Sequence, residues 1–204
     1  MTRFLLVCAF LLAVVSSNAT ADTISYDKLD TARVFRSLES ALASKTPVYR
    51  LDLSGKRLKE IPQEVFSLTS LQELILDRNK LTTIPSDISK LRQLQRLSAQ
   101  HNNLETFDPA ICNLQHLRYI NFGDNEIAAL PDEIHRLRRL ETLILWSNVI
   151  GYYPATLMRL NNLKTLDLMH NEMSISEQER IINMFPTTDL KLSPPCNCTF
   201  DDDE

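Results

Sequence analysis

Apolar residues return along this chain at a fixed step. Rows beginning at Val48, Leu71, Leu94, Leu117, Leu140 and Leu163 align every 23 residues without insertion. Within a row, leucine-like residues fill the first, fourth, sixth and eleventh positions. After two further residues come an apolar residue and proline, with apolar residues three and six places beyond. Alternation around the fourth to sixth positions predicts one short strand per row, because successive strand side chains face opposite ways. The stretch after proline, such as Ile84 to Leu91, has helical spacing and predicts a return segment opened by a residue that needs no N–H. The rows stack, so their strands form a parallel sheet with about 4.8 Å between neighbours.

In LILWSNVI, residues 143–150, Leu143 and Leu145 take the inward phase. Ile144 and Trp146 must then face away from the core. The outward fifth positions are Asp52, Ile75, Ser98, Asn121, Ile144 and Asp167, and the seventh are Ser54, Asp77, Gln100, Gly123, Trp146 and Met169. Asparagine fills the ninth position as Asn79, Asn102, Asn125, Asn148 and Asn171, with Lys56 in the first row. A buried amide both donates and accepts, so this column is expected to bond the turns that leave adjacent strands.

An open stack must be closed at both ends. Leu29, Ala32, Phe35, Leu38 and Leu42 recur at steps of three and four. They predict a single amphipathic helix within residues 27–44 that covers the first strand. Beyond Met173 the row pattern lapses. Ser176 and Glu179 have capping-box spacing there, and Ile181, Ile182 and Phe185 are expected to cover the last row.

The row pattern is the leucine-rich repeat signature. Residues 48–173 resemble the 23-residue class of these repeats, found in plant Ras-group-related proteins and in disease-resistance-like bacterial proteins. The resemblance implies an α/β solenoid, with a curved parallel β-sheet on its concave face and short helical or irregular segments on its convex face. It also implies noncovalent recognition of a protein partner. Row three departs from the pattern, with Asp108 in the proline position and Pro109 one place late, so its outer segment is expected to be distorted.

Residues 4–15 form an uninterrupted apolar run behind Arg3, too short to span a bilayer, and Ala19-Thr20-Ala21 has small-residue cleavage spacing. The reading is therefore a signal peptide at 1–21, an N-terminal capping helix within 22–47, repeats over 48–173, a C-terminal cap at 174–192 and an acidic cysteine-containing tail at 193–204. The expected location is outside the cytoplasm, secreted or periplasmic. Removing 1–21 takes away only Arg3 of 22 basic residues, leaving 21 against 26 acidic ones and a net charge of −5. That balance argues against a nucleic-acid partner. The remaining chain has no second long apolar segment, and a monomer is expected.

Tyr119, Ile144, Trp146 and Met169 form the candidate partner-binding site, because exposed apolar clusters and tryptophan or tyrosine anchors mark protein interfaces. The competing reading has Trp146 folding over Gly123 and stiffening the sheet. Arg50, Glu73 and Arg96 alternate in sign across adjacent strands, as a recognition stripe or as a ladder of surface ion pairs. His101 and His170 share a phase three strands apart, roughly 14 Å, which is too far for one zinc. No nucleophile with a neighbouring base and no phosphate-binding glycine loop can be assembled, so neither a catalytic nor a cofactor site is expected. Cys112 reads as a small buried hydrophobe. Cys196 and Cys198 beside Asp201, Asp202, Asp203 and Glu204 carry the alternative of thiol or metal chemistry. A purely structural surface protein is the third reading.

Overall fold

The computed structural model describes residues 23–194. One eight-stranded parallel sheet runs the length of the chain in sequential order. Its strands are β1 (Val34–Phe35), β2 (Arg50–Asp52), β3 (Glu73–Ile75), β4 (Arg96–Ser98), β5 (Tyr119–Asn121), β6 (Thr142–Ile144), β7 (Thr165–Asp167) and β8 (Asp189–Lys191). From β2 to β7 each residue pairs with the one 23 places later, as in Arg50↔Glu73, Arg96↔Tyr119 and Thr142↔Thr165. The strands occupy the third to fifth positions, one place earlier than expected. Backbone pairing nevertheless continues past them, as Asp124 N–H donates to the Trp146 carbonyl at 2.7 Å.

Between strands the chain returns through five-residue 3-10 turns at Gln63–Ser67, Ser86–Lys90, Pro109–Asn113, Asp132–Arg136 and Ala155–Arg159. Proline precedes four of these turns rather than beginning them. The expected distortion of row three does not occur. Asp108 takes the position before the turn, its carboxylate accepts the Ala110 N–H at 2.7 Å, and Pro109 becomes the first turn residue. The shifted proline is thus compensated by a side-chain cap. Leucines, isoleucines, Phe107 and Phe122 fill the space between sheet and turns. Cys112 is buried in the same core, and burial pushes its thiol up to about 12.

The N-terminal segment does not form the single helix that its periodicity predicts. It divides into a 3-10 turn (Tyr26–Thr31), strand β1 and helix α1 (Leu38–Leu42). A helix has no backbone groups to offer the open edge of β2, whereas Val34 and Phe35 have strand-forming side chains and pair with Arg50 and Leu51. Ser37 then starts α1 by accepting the Ser40 N–H at 3.2 Å. Leu29, Phe35 and Ala41 are buried, but Leu42 is exposed.

At the other end α2 (Ile175–Met184) begins two residues before the expected capping box. Ser174, not Ser176, accepts the Glu177 N–H, at 3.2 Å. Ile181 and Phe185 are buried as expected, whereas Ile182 is exposed, because it follows Ile181 on the helix and so points off the packed face. The sheet ends on β8, where Asp189 and Lys191 are exposed, charged neighbours that discourage further strand pairing.

Candidate functional site on the open face of the sheet

The eighth position of every row bends the chain away from the sheet. Gly55, Arg78, His101, Asp124, Ser147 and His170 all adopt left-handed φ, from 52 to 67°. For the non-glycine residues this costs about 1–2 kcal/mol each. The following asparagine offsets it. Asn125 donates to the carbonyls of Ala99 at 3.1 Å and Phe122 at 3.0 Å, and accepts the Leu104 N–H at 3.0 Å. Asn79, Asn102, Asn148 and Asn171 repeat the arrangement. Each amide therefore ties its own turn to the preceding row, which fixes the sheet's open face as a rigid surface.

On that face the fourth and sixth positions point inward and the third, fifth and seventh outward. Ile144, Trp146 and Met169 are half-buried there. The indole of Trp146 lies across Gly123. A methyl group at Gly123 would sit 2.2 Å from Nε1, and the three atoms nearest to it all belong to that ring. The ring also meets His101 edge-on, with centroids 5.6 Å apart, and His101 Nδ1 lies 2.7 Å from Asp124 Oδ2. Trp146 is thus held flat by a gap in the neighbouring row, as the competing sequence reading describes, and it remains partly accessible beside Ile144 and Met169.

Tyr119 is placed differently. It lines a hollow of about 230 Å³ with Asp77, Arg96, Ser98, Gln100 and Asn121, and none of Ile144, Trp146 or Met169 lines it. Burial raises the Tyr119 hydroxyl above its ordinary range. Asp77 is satisfied within this polar half, accepting from Ser98 Oγ at 2.6 Å and Gln100 Nε2 at 3.0 Å. Of the four candidate residues only Tyr119 lines this hollow, which Leu74 and Ile75 line as well as the polar side chains.

The alternating charges Arg50, Glu73 and Arg96 form something more buried than a surface ladder. The Glu73 side chain is 6% exposed; it accepts from Arg50 Nε and, at 3.3 Å, from Arg96 Nη1. Asp30, from the first 3-10 turn, binds Arg96 through two oxygens at 2.5 and 3.1 Å. The Arg96 hydrogen bond holds the Asp30 carboxyl below its ordinary range. Tyr26 lies under the guanidinium groups of Arg96 and Arg118, at 4.5 and 4.2 Å. The N-terminal segment is therefore fastened to rows one, three and four, through Arg50, Arg96 and Arg118, a role for Tyr26 and Asp30 that no local sequence signal announced.

Among the described residues no group of three His, Cys, Asp or Glu side chains could hold a metal ion, and no helix is long and apolar enough to cross a membrane. His116 contacts Arg139 at 3.1 Å, and His135 contacts the Asp132 carbonyl at 2.7 Å. Cys196, Cys198 and the acidic tail, like the proposed signal peptide, lie outside the described residues.

Two family models, described as leucine rich repeat and leucine-rich repeat region, match residues 46–104 and 109–196. The chain is a leucine-rich repeat protein. Among solved structures it is similar to a leucine-rich repeat protein of Leptospira interrogans, with 33% identity and a TM-score of 0.63 over 71% of this chain and 36% of that one. Internalin C2 of Listeria monocytogenes is 25% identical, with a TM-score of 0.60 over 76% of this chain and 64% of its own. A plant peptide hormone receptor, RGFR1, in complex with RGF2, is 27% identical, with a TM-score of 0.57 over 67% of this chain and 23% of the receptor. This leucine-rich repeat chain spans less than two thirds of each of these proteins. No curated protein matches its sequence.

Proposed function

We propose that this chain is an exported leucine-rich repeat module that recognises a protein partner noncovalently across the concave, open face of its sheet, acting by binding rather than catalysis. The observation that carries this reading is the half-buried group of Ile144, Trp146 and Met169, three apolar side chains together on a face whose other outward positions are mostly polar, with Ile75 standing apart three strands from Ile144. A large aromatic surface already immobilised against Gly123 and His101 loses little further freedom when it is covered, which suits a binding anchor. Tyr119 and the hollow beside it supply polar contacts at the rim. The fold is shared with a receptor solved with a bound peptide hormone, which supports use of this scaffold for polypeptide recognition. The apolar run at residues 4–15 supports export.

The test is affinity capture from native extracellular and envelope extracts, with the wild-type chain and an Ile144→Ser/Trp146→Ser variant of confirmed fold. A protein retained by the wild type and lost by the variant supports the proposal. Equal retention by both would overturn the assignment of the anchor.

A further inference from the structure

One edge of the solenoid, where the 3-10 turns lead back into the strands, carries a charge opposite to that of the chain. The twentieth position in rows two to five reads Lys90, Asn113, Arg136, Arg159. The twenty-second reads Arg92, Gln115, Arg138, Asn161, and the twenty-third Gln93, His116, Arg139, Asn162. These twelve places hold six Lys or Arg, one His, five amides and no carboxylate. In a chain with 26 acidic and 22 basic residues that composition is not an average surface.

The columns adjoin one another. Arg136 Nη1 donates to Asn113 Oδ1 at 3.3 Å, Arg139 Nη1 meets His116 Nδ1 at 3.1 Å, and Asn162 Nδ2 donates to the Arg138 carbonyl at 2.7 Å. Among the described residues, Lys90 alone in these columns has a carboxylate partner, Asp87 at 3.1 Å, whereas Arg92, Arg136, Arg138, Arg139 and Arg159 have none. The nearby Glu141 is already shared between Arg118 and Lys164. Two hollows of about 500 and 510 Å³ open along this edge, and both are lined by Gln93 and His116. Tyr26, Arg118, Arg139 and the already paired Glu141 line the first; Arg92, Asn113 and Gln115 line the second.

We infer that this edge is a second binding surface, separate from the sheet face, and that its ligand is an anionic polysaccharide. Guanidinium groups bind carboxylate or sulfate through paired N–H donors, while interspersed amides both donate to and accept from hydroxyls. A sugar polymer offers those two kinds of group in repeating order along a strand. The columns contain none of the aromatic or large aliphatic residues that anchor a protein partner.

The test measures binding of the purified full chain to fluorescently labelled heparin at 0.15 M salt. It compares Arg136→Gln/Arg138→Gln/Arg139→Gln with Lys56→Gln/Lys59→Gln/Lys80→Gln, which removes the same charge from the opposite edge. We expect the wild type to bind, the arginine variant to bind at least tenfold more weakly, and the lysine variant to stay within twofold. Polyglutamate at matched charge should compete poorly. Absence of wild-type binding, equal weakening by both variants, or equal competition by polyglutamate would overturn the inference, the last by assigning the edge to acidic polypeptide.

Discussion

Gly123→Ala should dislodge the chain's single tryptophan. The added methyl group would lie 2.2, 2.6 and 2.7 Å from three indole atoms, inside any tolerable contact, so the ring must swing off the sheet. An indole has roughly 200 Å² to cover, and a half-buried one hides about 100 Å², worth about 2.5 kcal/mol at 25 cal/mol per Å². Replacing glycine by alanine in extended backbone returns about 0.5–1 kcal/mol through the unfolded chain. The net expectation is a loss of about 1.5–2 kcal/mol. Denaturant titration followed by circular dichroism measures that loss, and tryptophan emission should move to the red because the exposed fluorophore is Trp146 alone. In a Trp146→Ser background the clash disappears, and Gly123→Ala should become neutral or mildly stabilising. Unchanged emission and stability, or the same loss with and without the tryptophan, would refute the packing of Trp146 over Gly123.

Other consequences are equally specific. Asn125→Leu strands the Leu104 N–H in the interior, while the Ala99 and Phe122 carbonyls keep their bonds from Asn102 and Asn148, and should cost about 1–3 kcal/mol for the one orphaned donor, read as a lower denaturant midpoint. Ser174→Ala should cost about 1 kcal/mol through loss of the α2 cap, whereas Ser176→Ala should cost less than half as much in the same unfolding assay. Asp30 is held down by its hydrogen bond to Arg96, and Glu141 by its hydrogen bonds to Lys164 and Arg118. Carboxyls depressed in the folded state contribute stability above their unfolded values near 4, and lose it as pH falls through the lower folded values. Stability should therefore decline below about pH 4, and less steeply in Asp30→Asn/Glu141→Gln, as measured by thermal melting across pH 2–6.

The unbroken step of the rows made the sheet, its register and the inward or outward sense of Ile144 and Trp146 legible from residues alone. Periodicity reports on stacking between identical rows, and there every contact repeats. It failed at the ends, where no identical neighbour exists. The helical spacing of Leu29 to Leu42 yielded to the unpaired edge of β2, and Ser174 outcompeted Ser176 for the cap. The network joining Asp30 to Arg96 spans 66 residues, and nothing local marks it. The left-handed eighth position was hidden because five of its six side chains are not glycine. Tyr119 was grouped with Trp146 by proximity in the register, but which way a side chain leans along a sheet depends on its neighbours' volumes. Tyr119 lines a hollow with Ile75 and Asp77 that the other three do not line.

Protein recognition by the open face is tested most directly by site-specific photocrosslinking. A photoreactive residue is placed on that face at Asp167 and, in a second protein, on the opposite side at Met158, which is 58% exposed. In native extracellular extract, position 167 should crosslink to one discrete protein and Ile144→Ser/Trp146→Ser should abolish the adduct, while position 158 should yield none. Adducts of equal strength at both positions, or an adduct at 167 that survives loss of Ile144 and Trp146, would contradict recognition by that face.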